Sequence, residues 1–164
     1  MSGGCTIRTA MPADLDALLA LCDEHARYER AESLTIDGDR RARLSALLFG
    51  QRPRLQAWIA EEAGDALGYA SASAEVSTWA AREYLHLDCL YLREQHRGRG
   101  IGAALLRTAI AFARARGYGR LQWQTPEWNL DAARFYLRSG AQESLKRRYA
   151  LDLAPDPTPI DAVG

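Results

Sequence analysis

Gln95-His96-Arg97-Gly98-Arg99-Gly100-Ile101-Gly102 is the stretch on which the reading of this chain turns. It lies between a strand-like run, Tyr84 to Leu92, and a helical pattern in which Ile101, Leu105, Ala109 and Phe112 share one stripe until Gly117 stops it. Alternating glycines remove side chains where a backbone must approach a ligand. The unpaired N–H groups and positive dipole end of the helix start then form an anion cradle. Arg97 and Arg99 add charge at the same place. No Gly-Lys-Ser/Thr follows, so a P-loop is excluded, and the dinucleotide fingerprint G-x-G-x-x-G meets Ala103 in one window and Leu105 in the next. Taken alone, the stretch also admits a glycine-rich turn that binds nothing.

Working outward, the strand-helix pair continues into a strand at Leu121 to Thr125, which predicts a β-α-β crossover with parallel neighbours from 84–92, 98–116 and 121–125. Upstream, Leu55 to Ala60 and Leu67 to Val76 complete an antiparallel meander with Tyr84 to Leu92. Before them come a strand at Thr6–Thr9, a helix from Pro12 towards Tyr28 and a helix from Asp39 to Phe49. Downstream, a helix is expected over Asn129 to Ser139, closed by Gly140, and a last strand over Arg148 to Leu153. The fold class expected is α+β: a three-layer domain with a central mixed, mostly antiparallel sheet flanked by helices. One domain is expected over residues 1–153, with a flexible proline-rich tail over 154–164.

The 164 residues suit a single domain, and 48% hydrophobic with 26% charged residues excludes fibrous and natively unfolded classes. No run of membrane-span length and no apolar leader in Met1 to Ala10 point to a soluble, cytoplasmic protein. Cys5, Cys22 and Cys89 lack paired spacing, so reduced thiols are expected and no metal site, His25 and His96 included. The zero net charge conceals a partition: residues 1–92 carry −5, residues 93–148 carry +8 and the last 16 carry −3. Opposite fields concentrate opposite ligands, so an anionic partner suits the basic block and a cationic one the acidic portion. An aromatic RNA platform or DNA-binding motif is missing, so no nucleic-acid partner is expected.

A second segment, Thr125-Pro126-Glu127-Trp128-Asn129-Leu130-Asp131-Ala132-Ala133-Arg134-Phe135-Tyr136, sets Asn129, Ala133 and Tyr136 on one helical face, thinned by its alanines. Asn129 suits a ligand amide or a helix cap equally, and Tyr136 a reactive end or a half-buried packing position. Together the two segments resemble the GCN5-related N-acetyltransferase superfamily, whose acetyl-CoA site pairs [Q/R]-x-x-G-x-[G/A] with Asn-x-x-Ala-x-x-Phe-Tyr. Here these are Gln95-x-x-Gly98-x-Gly100 and Asn129-x-x-Ala132-x-x-Phe135-Tyr136. The resemblance implies acetyl-CoA as cosubstrate. It further implies that amides from Gly98 through Arg99, Gly100, Ile101 and Gly102 to Ala103 hold the pyrophosphate, with Arg97 and Gln95 beside them. It assigns Cys89, Leu90 and Tyr91 to the pantetheine, and to Tyr136 protonation of the leaving thiolate.

A closer likeness is to the diamine (spermidine/spermine-type) branch, which includes thialysine acetyltransferases. It is carried by Ala26-Arg27-Tyr28-Glu29, by Trp79 nine residues before Asp88, by the glycine turn and by Glu127-Trp128-Asn129. The resemblance implies that Tyr28, Glu29, Trp79 and Asp88 bind a small cationic amine, that Asp88 takes part in catalysis, and that the enzyme is a homodimer. One departure stands out: the branch has two adjacent acids on that strand, and here the first is Leu87. Asp88, His86 or a water chain must then serve as base, or the substrate is an amino acid, an antibiotic or a protein amine. From another class, a noncatalytic CoA-binding sensor or interaction module stays open.

Overall fold

The computed structural model describes residues 4–31, 39–151 and 153. They form two compact units, one ending at Asn129 and one beginning at Leu130. In the first unit, β1 (Thr6–Thr9), β2 (Gln56–Glu62), β3 (Asp65–Ser77), β4 (Arg82–Leu92) and β5 (Leu121–Gln122) make one sheet in chain order. The first four strands pair antiparallel, and β5 joins β4 in parallel after the crossover helix. Three helices accompany them: α1 (Leu15–Tyr28), α2 (Arg40–Phe49) and α3 (Ile101–Ala115). The expected meander and crossover are therefore present, in a mixed sheet that is not closed.

Strand alternation explains how the helices are distributed. Ala57 and Ile59 on β2 are buried with Leu15, Leu18 and Leu21 of α1 and Leu48 of α2. Trp58, between them, must project to the opposite face, and its ring meets Phe112 of α3 edge-on at 5.3 Å. Helices thus cover both faces of the sheet. In α3 the buried residues Ile101, Leu105, Leu106, Ala109 and Ala113 hold one stripe. The helix ends in a Schellman motif, with the Gly117 N–H on the Arg114 carbonyl and the Tyr118 N–H on that of Ala113.

The second unit contains α4 (Leu130–Arg138), closed in the same way at Gly140, whose N–H donates to Leu137 while that of Ala141 donates to Tyr136. The strand expected over Arg148 to Leu153 is a correction: residues 141–151 and 153 have no regular element. Tyr149, Leu151 and Leu153 alternate as a strand would, yet each is more than 80% exposed. A strand is held by a ladder of N–H and C=O bonds to a neighbour, and these described residues form no such ladder. For the same reason β5 is shorter than Leu121 to Thr125, since only Leu121 and Gln122 find partners, at Leu85 and His86. The tail 154–164 lies outside the described residues.

Candidate active site

The glycine turn is built as its spacing predicts, with one refinement. Gly98 (φ +76°) and Gly100 (φ +80°) are both left-handed, so α3 begins at Ile101 rather than at Gly98. A methyl group at either glycine would meet no atom of the described residues within 4 Å, its chain neighbours aside, so the backbone is bare on its outer side. Ala104 makes the first intrahelical bond, to the Gly100 carbonyl, and Gly100 supplies no side-chain cap. The amides of Ile101, Gly102 and Ala103 therefore stand at the start of the helix, at its positive end. Ile101 is itself buried, which anchors the turn, while Gln95 is exposed on a single 3-10 turn, Glu94–His96.

The two arginines of the turn differ. Arg97 Nε donates to the Leu92 carbonyl at 3.0 Å, and its guanidinium lies 4.6 Å from the Tyr28 ring centroid. Arg99 instead forms a two-point ion pair with Glu62 of β2, at 2.6 and 3.0 Å. That guanidinium holds the Glu62 carboxyl below the usual carboxylate range. Arg97 is thus turned towards the α1 end and Arg99 towards the sheet.

Asp88 occupies an irregularity that the sequence did not announce. Along β3, Ser71 faces Cys89 and the next residue, Ala72, faces Leu87, so Asp88 is the extra residue of a β-bulge in β4. Its side chain is exposed, whereas Leu87 and Leu85 are each 2% exposed. The Leu87 side chain therefore lies in the core, and a carboxylate there would be stripped of water. Beside the bulge, the Cys89 thiol is 3.6 Å from Asp88 Oδ2. Burial, helped by the Asp88 charge, pushes that thiol up to about 12, so it is a neutral packing group at physiological pH. Leu90 and Tyr91 continue the strand towards the glycine turn, both partly buried.

At the end of α1, Tyr28 stands 6.2 Å from the Tyr91 ring and 6.0 Å from that of Trp128. His25, buried one turn earlier, was not singled out in the sequence as a site residue. Its ring stacks on Tyr91 at 5.0 Å, its Nε2 is 3.2 Å from Glu29 Oε1 and its Nδ1 is 3.1 Å from the Tyr69 hydroxyl. A buried histidine at a helical stripe position reads as core in the sequence, and Tyr69 is remote along the chain. Only the fold puts them together. Trp79, by contrast, is 99% exposed in the turn of the β3–β4 hairpin. The strand residues from Arg82 to Asp88 alone rise about 20 Å, so one chain does not bring Trp79 beside Asp88. Asn129 is buried and closes a turn by donating its N–H to the Pro126 carbonyl. In the second unit, Ala132 and Tyr136 are partly buried on α4, with the Phe135 ring 5.1 Å from that of Tyr136.

Comparison with known proteins gives this arrangement its class. The model of the acetyltransferase (GNAT) family matches residues 18–141, most of the chain. The chain belongs to that family and is an acetyltransferase. Among curated proteins it is 29% identical to a thialysine N-epsilon-acetyltransferase of Caenorhabditis elegans over 134 residues, covering 79% of this chain and 78% of that protein. It is 27% identical to the Bos taurus protein of that name over 145 residues, 84% of each. Among solved structures, an aminoglycoside acetyltransferase from an uncultured soil metagenomic sample superposes with a TM-score of 0.76 at 16% identity, covering 91% of this chain and 97% of that one. That likeness speaks to the fold. No cluster of three metal-ligating side chains occurs among the described residues, and none of their helices is long and apolar enough to cross a membrane.

Proposed function

We propose that the enzyme moves the acetyl group of acetyl-CoA to a primary amine of a small cationic substrate, a diamine or a thialysine-like amine, by direct attack in a ternary complex. The observation that carries this reading is the bare left-handed turn at Gly98 and Gly100, opening α3 at the end of the strand on which Asp88 bulges. The turn fits a diphosphate: amides from Gly98 to Ala103 would hold it, with Arg97 and Gln95 adjacent. Cys89 to Tyr91 would line the pantetheine arm, and Asn129 and Ala132 its continuation.

In the reaction the amine nitrogen bonds to the thioester carbon and the carbon–sulfur bond breaks. Asp88 takes the proton the amine must lose, directly or through water, and Tyr136 returns one to the departing sulfur. Backbone N–H groups released from the ladder at the bulge would face the oxyanion. Tyr28 and Glu29 hold the substrate's second ammonium. Two curated relatives named for thialysine support the cationic class. The proposal includes one catalytic domain over residues 1–153, a cytoplasmic setting and a homodimer. In such a dimer Trp79 serves the neighbouring chain's amine rather than its own.

The test is kcat/KM, by thiol release from acetyl-CoA, for spermidine, a short diamine, a thialysine-like amine and anionic amino acids. Cationic amines are expected to lead. Asp88→Asn should lower their turnover by at least about tenfold, the low side of a positioned base, and more so as pH falls. If an anionic amine leads and Asp88→Asn changes no rate, the cationic assignment is lost while the acetyltransferase remains.

A further inference from the structure

Glu29 is placed against two local rules. It caps the C-terminal end of α1, where the helix dipole disfavours a carboxylate. The chain then turns through a Schellman motif, with the Arg30 N–H on Arg27 and the Ala31 N–H on Ala26. The left-handed position that glycine normally fills is taken by Arg30 at φ +54°. The sequence has accepted both costs to set an acid at this spot, and rule-breaking of this kind concentrates at functional positions.

What holds that acid is His25. Its Nε2 lies 3.2 Å from Glu29 Oε1, one helical turn away, and its Nδ1 lies 3.1 Å from the Tyr69 hydroxyl. The imidazole is buried and its plane is clamped against Tyr91. Tyr69, 2% exposed, sits in the core on β3, and burial drives its ionisation far above the ordinary phenol value, so the hydroxyl always carries a proton to donate. Its other polar neighbours are the thiols of Cys22 and Cys89, which are weak acceptors. With the imidazole neutral, the donor order that satisfies every group runs from the Tyr69 O–H to His25 Nδ1 and from the His25 Nε2–H to the Glu29 carboxylate. A hydroxyl buried in the sheet thereby fixes the tautomer of a histidine, and the histidine fixes the direction of a half-exposed acid.

We propose that His25, oriented by Tyr69, is the positioning residue that aims the Glu29 carboxylate at the substrate's second ammonium. This rests on the cationic-amine reading given above. It makes the preference for a doubly charged amine a property of the Tyr69–His25–Glu29 line rather than of an exposed acid alone.

The experiment compares a diamine with a monoamine of equal chain length, in steady state, for wild type, Glu29→Gln, His25→Leu, His25→Gln and Tyr69→Phe. His25→Leu is expected to raise KM for the diamine about tenfold, the scale of a lost hydrogen bond to a charged group. The kcat, the KM for acetyl-CoA and the KM for the monoamine should stay within about threefold. His25→Gln, whose amide N–H reaches the same carboxylate, should restore most of the affinity, and Tyr69→Phe should fall between. A diamine KM unchanged in His25→Leu while Glu29→Gln raises it would overturn the positioning role and leave the cationic-amine reading standing. If His25→Leu does not fold, Tyr69→Phe decides alone in the same way. A diamine KM unchanged in Glu29→Gln removes Glu29 from substrate binding, and the inference with it.

Discussion

Gly100 holds φ +80° in open space, so a methyl group there costs strain without a clash. Gly100→Ala should therefore lose about 1 kcal/mol of stability. CoA affinity, read by calorimetry, should drop by a larger factor, because the new Cβ fills the bare side of the turn. Unchanged CoA affinity in the folded variant would remove the diphosphate from this loop. At the second motif, Tyr136→Phe should reduce kcat about 100-fold at similar acetyl-CoA affinity, the scale of a positioned proton donor. Full activity in that variant would leave the tyrosine a packing role with the adjacent Phe135 ring. The turn that holds Gly100 and the helix that carries Tyr136 were legible in the sequence, because glycine alternation before a helix and helical spacing are local signals. His25 and Tyr69 were not: they lie 44 residues apart, and only the packing of α1 on the sheet makes them partners.

Between elements, Arg93 at the end of β4 grips Glu24 of α1 through two bonds of 2.8 and 2.7 Å and also donates to the Ala66 carbonyl. The guanidinium holds the Glu24 carboxyl below its usual range, against the opposing effect of burial. Arg8 does the same for Asp14, tying β1 to the turn that opens α1. A carboxyl depressed by folding binds fewer protons folded than unfolded. Its stabilisation is whole above the unfolded value, near pH 4 to 4.5, and is lost as pH falls through the folded one. Arg93→Gln should lower Tm at pH 7, by a ΔΔG of about 1 kcal/mol for a partly exposed pair. The gap from wild type should narrow as pH falls below about 4.5. A gap independent of pH would mean that Arg93 acts through packing. Helices with a glycine stop were readable from the chain, as Gly117 and Gly140 illustrate. The expected strand over Arg148 to Leu153 shows the opposite case, because alternation records which side could be buried and says nothing about whether a partner edge exists.

For the whole molecule, the charge partition and the exposed Trp79 bear on assembly. A dimer is expected, with twice the 18.2 kDa chain mass by light scattering, and Trp79→Ala should weaken diamine acetylation without altering CoA affinity. A monomeric mass at working concentration would remove both expectations. The β4 bulge was invisible beforehand, since one extra residue leaves no mark on composition or period until its neighbour is known. It acts as a half-period slip in the phase of the strand: inward-facing leucines fall on odd numbers at 85 and 87 and on an even one at 92. Losing one residue between Leu87 and Leu92 would remove the bulge and leave those leucines in phase, with no residue standing out of the ladder. Descendants of this gene can therefore drop one residue here without turning the strand over, but they would lose the position that stands out of the ladder, and an acid placed at position 87 would still lie among the core leucines.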